Sequence, residues 1–63
     1  MFIEWGKVYV LDTYNGVVIK QLMPSNHDDR VTCVSINPAY PSFDIEYKYI
    51  LGFYRVRMMM TIK

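Results

Sequence analysis

The fold is decided by residues 7–38, KVYVLDTYNGVVIKQLMPSNHDDRVTCVSINP. Residues 7–11 and 17–22 are predicted strands, because both runs are rich in β-branched, aromatic and aliphatic side chains, which favour extended structure. The segment between them contains Asn15-Gly16, a dipeptide that adopts the positive φ angles of a tight hairpin at low steric cost. This order of residues predicts an antiparallel β-hairpin.

The chain beyond the hairpin also reads as strands separated by loops. Residues 24–29 form a polar loop, residues 31–36 (VTCVSI) predict a third strand, and Asn37-Pro38 ends it. Residues 47–53 predict a fourth strand, and residues 54–63 either continue it, begin a fifth strand or form a short helix. The predicted fold class is therefore all-β with antiparallel strands.

Length and composition limit how this chain can be stabilised. A chain of 63 residues is one small domain at most, and it buries only about 60% of its unfolded surface on folding. Cys33 is the only cysteine and His27 the only histidine, so neither an internal disulfide nor a tetrahedral zinc site can form. Stability must come from efficient packing or from contacts with other chains.

The charge balance excludes strong electrostatic binding. The formal net charge is +1 and 21% of the residues are charged, which predicts no strong attraction to nucleic acid or to an anionic membrane. The N-terminal residues lack the pattern of a secretory signal, and the cysteine is unpaired. We therefore expect an intracellular protein of the cytoplasm or nucleus.

Residues 7–38, and more weakly the chain as far as Gly52, resemble one repeat of the WD40 β-propeller family. Leu11-Asp12 stands where Trp-Asp ends the third strand of a blade, and Asn26-His27 stands where Gly-His precedes the innermost strand of the next blade. The resemblance assigns structural roles to the matching positions, which are Asp12, Gly16, His27, Val31, Val34, Ile36 and Pro38.

The match to this family is incomplete. Leu11 replaces the signature Trp, Asn26 replaces the Gly, and no acidic residue follows Glu46. The His–Ser/Thr–Asp–Trp network of a typical blade therefore cannot be completed. A blade also buries its faces against neighbouring blades, and a lone one leaves them exposed.

The resemblance implies that the chain is a fragment or truncated form of a WD40-repeat protein. Residues 7–52 would be the blade portion of a single segment spanning residues 1–63, and residues 53–63 a divergent C-terminal tail. The alternative is a small self-sufficient β-barrel of SH3-like or OB-like type.

No residue pattern predicts catalysis, a cofactor site or a metal site. His27 beside Asp28 and Asp29 reads as a structural loop histidine, because adjacent loop residues seldom converge on one ion. Cys33 reads as a small buried hydrophobe, and Ser25 and Ser35 lack the Gly-x-Ser-x-Gly nucleophile elbow. We predict that the protein is not an enzyme and has no small-molecule substrate.

Two functions remain from the sequence. The WD40 resemblance implies a non-catalytic scaffold that contacts protein partners or neighbouring propeller blades, without a cofactor or a membrane. The alternative is a small barrel that binds single-stranded nucleic acid. The residues that would form its stacking surface are Trp5, Tyr9 and Tyr14, together with Lys7 and Lys20.

Overall fold

The predicted hairpin is present in the structure, a computed structural model that describes residues 2–57. Strands β1 (Val8–Thr13) and β2 (Gly16–Pro24) pair antiparallel along the whole of β1, from Val8 opposite Gln21 to Thr13 opposite Gly16. Gly16 has a φ of +120°, a conformation that side chains other than glycine rarely adopt. The Thr13 hydroxyl donates to the Gly16 carbonyl at 2.7 Å and accepts the Asn15 N–H at 3.2 Å, which fixes the turn.

Three further strands complete one sheet. They are β3 (Arg30–Val34), β4 (Phe43–Glu46) and β5 (Ile50–Arg55), and the sheet order is β4-β3-β2-β1-β5 with every pair antiparallel. The all-β antiparallel fold class is thus confirmed. Within residues 2–57 there is no helix of the length and apolar character needed to cross a membrane.

The second half of the chain differs in detail from the sequence prediction. Residues 47–49, expected to open the fourth strand, instead form a single 3₁₀ turn (Tyr47–Tyr49), and β5 begins at Ile50. Strand β4 occupies residues 43–46, where we expected none. Its sequence FDIE is too short and too acidic to give a strand signal, and pairing with β3 is what holds it extended.

The core lies on one face of the sheet. Successive strand residues point to opposite faces, so alternate positions of β1 and β3 are buried. The buried apolar side chains are Tyr9, Leu11, Leu22, Val31 and Cys33; Ile3, Val18, Ile45, Tyr47, Ile50 and Phe53 pack around them half-buried. A core of this size leaves little reserve against loss of any one side chain.

The strand pairing helps to distinguish a WD40 blade portion from a small self-sufficient β-barrel. In the WD40 assignment β2 is the outer strand of one blade and β3 is the innermost strand of the next. Here the two strands pair directly, with Leu22 opposite Cys33. The proposed blade portion ends between residues 52 and 53, but strand β5 continues across this boundary. The remainder of the proposed divergent tail, residues 58–63 with Met58–Met60, lies outside the described residues.

Leu22→Ala tests the importance of this core. Leu22 is fully buried, so we expect the truncation to lower the free energy of unfolding by about 2–5 kcal/mol, enough to unfold much of a marginally stable chain. Urea denaturation followed by circular dichroism measures the loss. Leu51→Ala is the matched control because Leu51 is 56% exposed, and an equal loss in both variants would contradict this core assignment.

Candidate binding surfaces

The residues that carry the WD40 resemblance do not form one site. Asp12 pairs with Val17, next to Gly16 at the beginning of β2. His27 follows Pro24, at the opposite end of the same nine-residue strand. The remaining positions belong to β3 and the segment after it: Val31 is fully buried, Val34 half-buried, and Ile36 and Pro38 exposed.

The loop that contains His27 is held by hydrogen bonds to Asp44. The Ser25 hydroxyl and the Thr32 hydroxyl each donate to the Asp44 carboxylate at 2.6 Å. These two bonds, with Ser25 the larger cause, hold the pKa of Asp44 below its usual value, and the charges of His27 and Arg30 act in the same direction. Asp44 therefore ties the loop to β4 and β3.

The neighbourhood of His27 offers no metal centre in the part of the chain that is described. Residues 2–57 contain no group of three or more His, Cys, Asp or Glu side chains that could hold an ion. The backbone N–H of His27 donates to the Ser25 hydroxyl at 3.1 Å, and its carbonyl accepts the Arg30 N–H at 3.3 Å. These contacts give the residue a place in the loop structure.

Cys33 is fully buried in the core. Burial is the largest influence and raises the pKa of its thiol from 9.0 to about 11; the charge of Lys20 opposes the shift and that of Asp44 adds to it. The thiol is therefore protonated at neutral pH. A protonated, inaccessible thiol is a poor nucleophile and a poor metal ligand.

Lys20 lies at the polar boundary of the core, whereas the sequence placed it in a predicted stacking surface. It sits between Val18 and Leu22 on the interior-facing side of β2, opposite Tyr9. Its ammonium donates to the Ser35 hydroxyl at 2.8 Å and lies 5.8 Å from the centre of the Phe43 ring. The apolar stem can thus cover the core while the charged end keeps a polar partner. The alternation of residues 18, 20 and 22 was the signal that could have located it.

The structure does not assemble the predicted nucleic-acid stacking surface. Tyr9 is buried, packs against Phe53 with ring centres 5.8 Å apart, and accepts the Glu4 N–H at 2.9 Å through its hydroxyl. Trp5 and Tyr14 are exposed, but they line separate depressions. Tyr9 is therefore a core residue and cannot offer its ring face to a base.

Two exposed tyrosines line a groove that we call the aromatic groove. Its lining residues are Tyr14, Asn15, Lys48 and Tyr49. The two tyrosine rings meet edge to face with centres 6.4 Å apart, and the Tyr14 N–H donates to the Tyr49 carbonyl at 3.2 Å. The Lys48 ammonium lies 5.2 Å from the centre of the Tyr49 ring and 3.5 Å from the Glu46 carboxylate. The groove joins the β1–β2 turn to the 3₁₀ turn.

The side of the sheet opposite the core carries an outer apolar face. Cross-strand pairing sets Ile19, Val10 and Tyr54 in one row across β2, β1 and β5. Ile19 is 52% exposed and Tyr54 64% exposed. A shallow groove beside this row is lined by Gly6, Lys7, Val8, Ile19, Ile36 and Val56. We define the outer apolar face as Val8, Val10, Ile19, Ile36, Tyr54 and Val56.

Comparison with known proteins gives no assignment for this chain. No protein-family model matches it, and no curated protein or solved structure matches it either. Its function has to be inferred from the surfaces of residues 2–57.

The state of Cys33 can be checked with a thiol reagent. At pH 8 we expect native Cys33 to react roughly 100-fold or more slowly than the urea-unfolded chain, because its raised pKa lowers the thiolate fraction and burial blocks access. The reaction is followed by absorbance. Equal rates for native and unfolded chains would contradict the burial.

Because the native thiol of Cys33 holds its proton more tightly than the unfolded thiol, its contribution to stability is present below pH 9.0 and is lost as the pH rises through about 11.

Proposed function

We propose that this protein is a non-catalytic interaction module that binds another protein through its outer apolar face. The observation that carries the proposal is the row of Ile19, Val10 and Tyr54 on three adjacent strands, in which Ile19 and Tyr54 are exposed and Val10 is half-buried. Contiguous apolar surface on a small domain is costly in water and commonly marks an interaction site. Strands hold such a surface rigidly, which lowers the entropy lost on binding.

The groove beside this row gives the partner its chemistry. Its walls are aliphatic, from Val8, Ile19, Ile36 and Val56, and Lys7 supplies a positive charge at its edge. The complementary ligand is a protein segment with apolar side chains followed by an Asp or Glu that reaches Lys7. A single charge at the rim adds selectivity and faster association more than affinity.

The proposal applies to both architectures that the sequence allows. As a fragment or truncated form of a WD40-repeat protein, the chain would present this face to partners or to neighbouring blades. The direct pairing of β2 with β3 favours the other architecture, a small SH3-like or OB-like barrel that folds alone. Neither version needs a cofactor or a small-molecule substrate. The free, buried thiol of Cys33 fits an intracellular setting in the cytoplasm or nucleus.

Site-specific photo-cross-linking tests the proposed interaction. A benzophenone amino acid replaces Ile19 in the full chain, and the same amino acid replaces Tyr40, which is 64% exposed in the loop before β4, as the matched control. We expect a discrete cross-linked protein from position 19 and none from position 40.

Purified partner then allows a quantitative check. The variant Ile19→Glu places a charge in the apolar lining of the groove, so we expect its Kd to rise about tenfold or more, while Tyr40→Glu stays within about twofold of wild type. Fluorescence anisotropy with labelled partner measures both values. Equal labelling from the two positions, or equal affinity of the two variants, would overturn the proposal.

A second candidate function uses the aromatic groove to bind single-stranded nucleic acid. The specific observation in its favour is the combination of Tyr14, Tyr49 and Lys48, which provides two exposed rings beside a cation. Exposed aromatic rings stack on unpaired bases, and a nearby cation can contact the phosphate backbone. The near-neutral charge of the chain and the nearby Glu46 carboxylate make this the weaker candidate.

Tyr14→Ala tests the second candidate with a fluorescent single-stranded oligonucleotide at low salt. If the groove stacks a base, we expect a loss of about 1–3 kcal/mol of binding free energy, roughly 5- to 150-fold in Kd. Tyr40→Ala controls for general loss of surface aromatics. Absence of binding by the wild-type chain, or the same Kd for both variants, removes this function.

A further inference from the structure

Strand β5 is an open edge of the sheet. The described part of the chain has β5 at one end of the strand order and β4 at the other. The Val56 N–H donates to the Val8 carbonyl at 2.9 Å. Val8 and Val56 are therefore a hydrogen-bonded pair of the ladder between β1 and β5. Because bonded and non-bonded pairs alternate in an antiparallel ladder, Gly52 and Tyr54 also bond to β1, while the peptide groups of Phe53 and Arg55 point away from the sheet.

The two edges differ in how they resist pairing with another strand. Strand β4 carries Asp44 and Glu46, so two copies of it side by side would set carboxylates against each other. Strand β5 carries neither an acidic residue nor a proline. Its one charged side chain, Arg55, is paired with Glu4 of the same chain. Strand β5 has one protective feature, an irregularity in its pairing with β1 between Gly52 and Ile50, and this leaves residues 53–55 in regular register.

We propose that β5 pairs antiparallel with β5 of a second copy of this chain, with Tyr54 opposite Tyr54 of the second copy on the two-fold axis. In this register Phe53 lies opposite Arg55 of the second copy, so their outward N–H and C=O groups bond in pairs on both sides of the axis. A symmetric interface of this kind is self-complementary, and the two sheets become one.

Charge favours this register over the one centred on Arg55. Shifting the axis to Arg55 would set two guanidinium groups opposite each other, whereas the Tyr54 axis sets each one opposite a Phe53 ring. Tyr54 occupies a non-bonded pair with respect to the second copy, the position where cross-strand side chains approach most closely. The row of Ile19, Val10 and Tyr54 then continues into the same row of the second copy, which covers part of Tyr54.

The proposed dimer shares Tyr54 with the outer apolar face but leaves the aliphatic groove around Ile19 and Lys7 open for another protein. The dimer and the binding of a partner in that groove can therefore be tested separately. A dimer would present two copies of that groove on one continuous sheet. Binding to a partner with two matching segments would then gain from effective concentration.

A charge-exchange experiment tests the interface. Sedimentation equilibrium on the full wild-type chain should give twice the chain mass of 7.5 kDa. Tyr54→Glu and Tyr54→Lys each place like charges opposite one another at the axis, so each variant alone should dissociate about tenfold or more readily. An equimolar mixture of the two should recover the dimer, because Glu then lies opposite Lys.

Tyr14→Glu and Tyr14→Lys are the matched controls, because Tyr14 is 67% exposed on the β1–β2 turn and contacts Tyr49, before the start of β5, and not Tyr54. Both should remain dimeric, and circular dichroism of all four variants should retain the β-sheet signal, since each substitution replaces an exposed side chain.

Three results would overturn the dimer: a monomeric wild-type chain, a dimer that persists in Tyr54→Glu and Tyr54→Lys separately, or a mixture of them that stays monomeric. A monomeric wild-type chain that still cross-links a different protein through position 19 overturns the dimer alone. A dimer that cross-links nothing from position 19 overturns the proposed function alone.

Discussion

The pairing of β1 with a strand on each side is the constraint on which the rest of this structure depends. Leu11 lies opposite Val18 on β2 and opposite Phe53 on β5, and it is fully buried. A residue held in two ladders fixes the register of both, because a slip by one position would turn the apolar side chains to the opposite face. The N-terminal hairpin and the C-terminal strand are therefore tied together through one central strand.

The described residues form a single layer of strands, whose core lies against one face. Within residues 2–57 no further strand or helix lies over the outer side. Ile19 and Tyr54 are exposed and Val10 is half-buried between them, although each belongs to a regular strand. The proposed interaction surface and the open β5 edge are thus two features of the same single sheet.

Polar side chains mark where the core ends. Lys20 reaches Ser35 from the interior side of β2, and Asp44 gathers the hydroxyls of Ser25 and Thr32 at the β3–β4 edge. Each of these groups has a partner, so the rim of the core carries charge without leaving these groups unsatisfied. Cys33, enclosed between these two charged groups and the apolar core, is correspondingly a structural residue.

The sequence by itself determined the strand content of the first half of the chain. Alternation in β1 and the Asn15-Gly16 turn are local signals, so the hairpin and β3 could be predicted before any contact was known. Strand β4 and the 3₁₀ turn could not, because residues 43–46 are held extended by pairing with β3, and the β-favouring residues 47–49 form a turn between two strands. The binding surfaces depended on tertiary structure for the same reason. Which face of β2 is covered, that Tyr9 is buried while Tyr54 is exposed, and that β5 ends the sheet are all set by contacts between residues far apart in the chain.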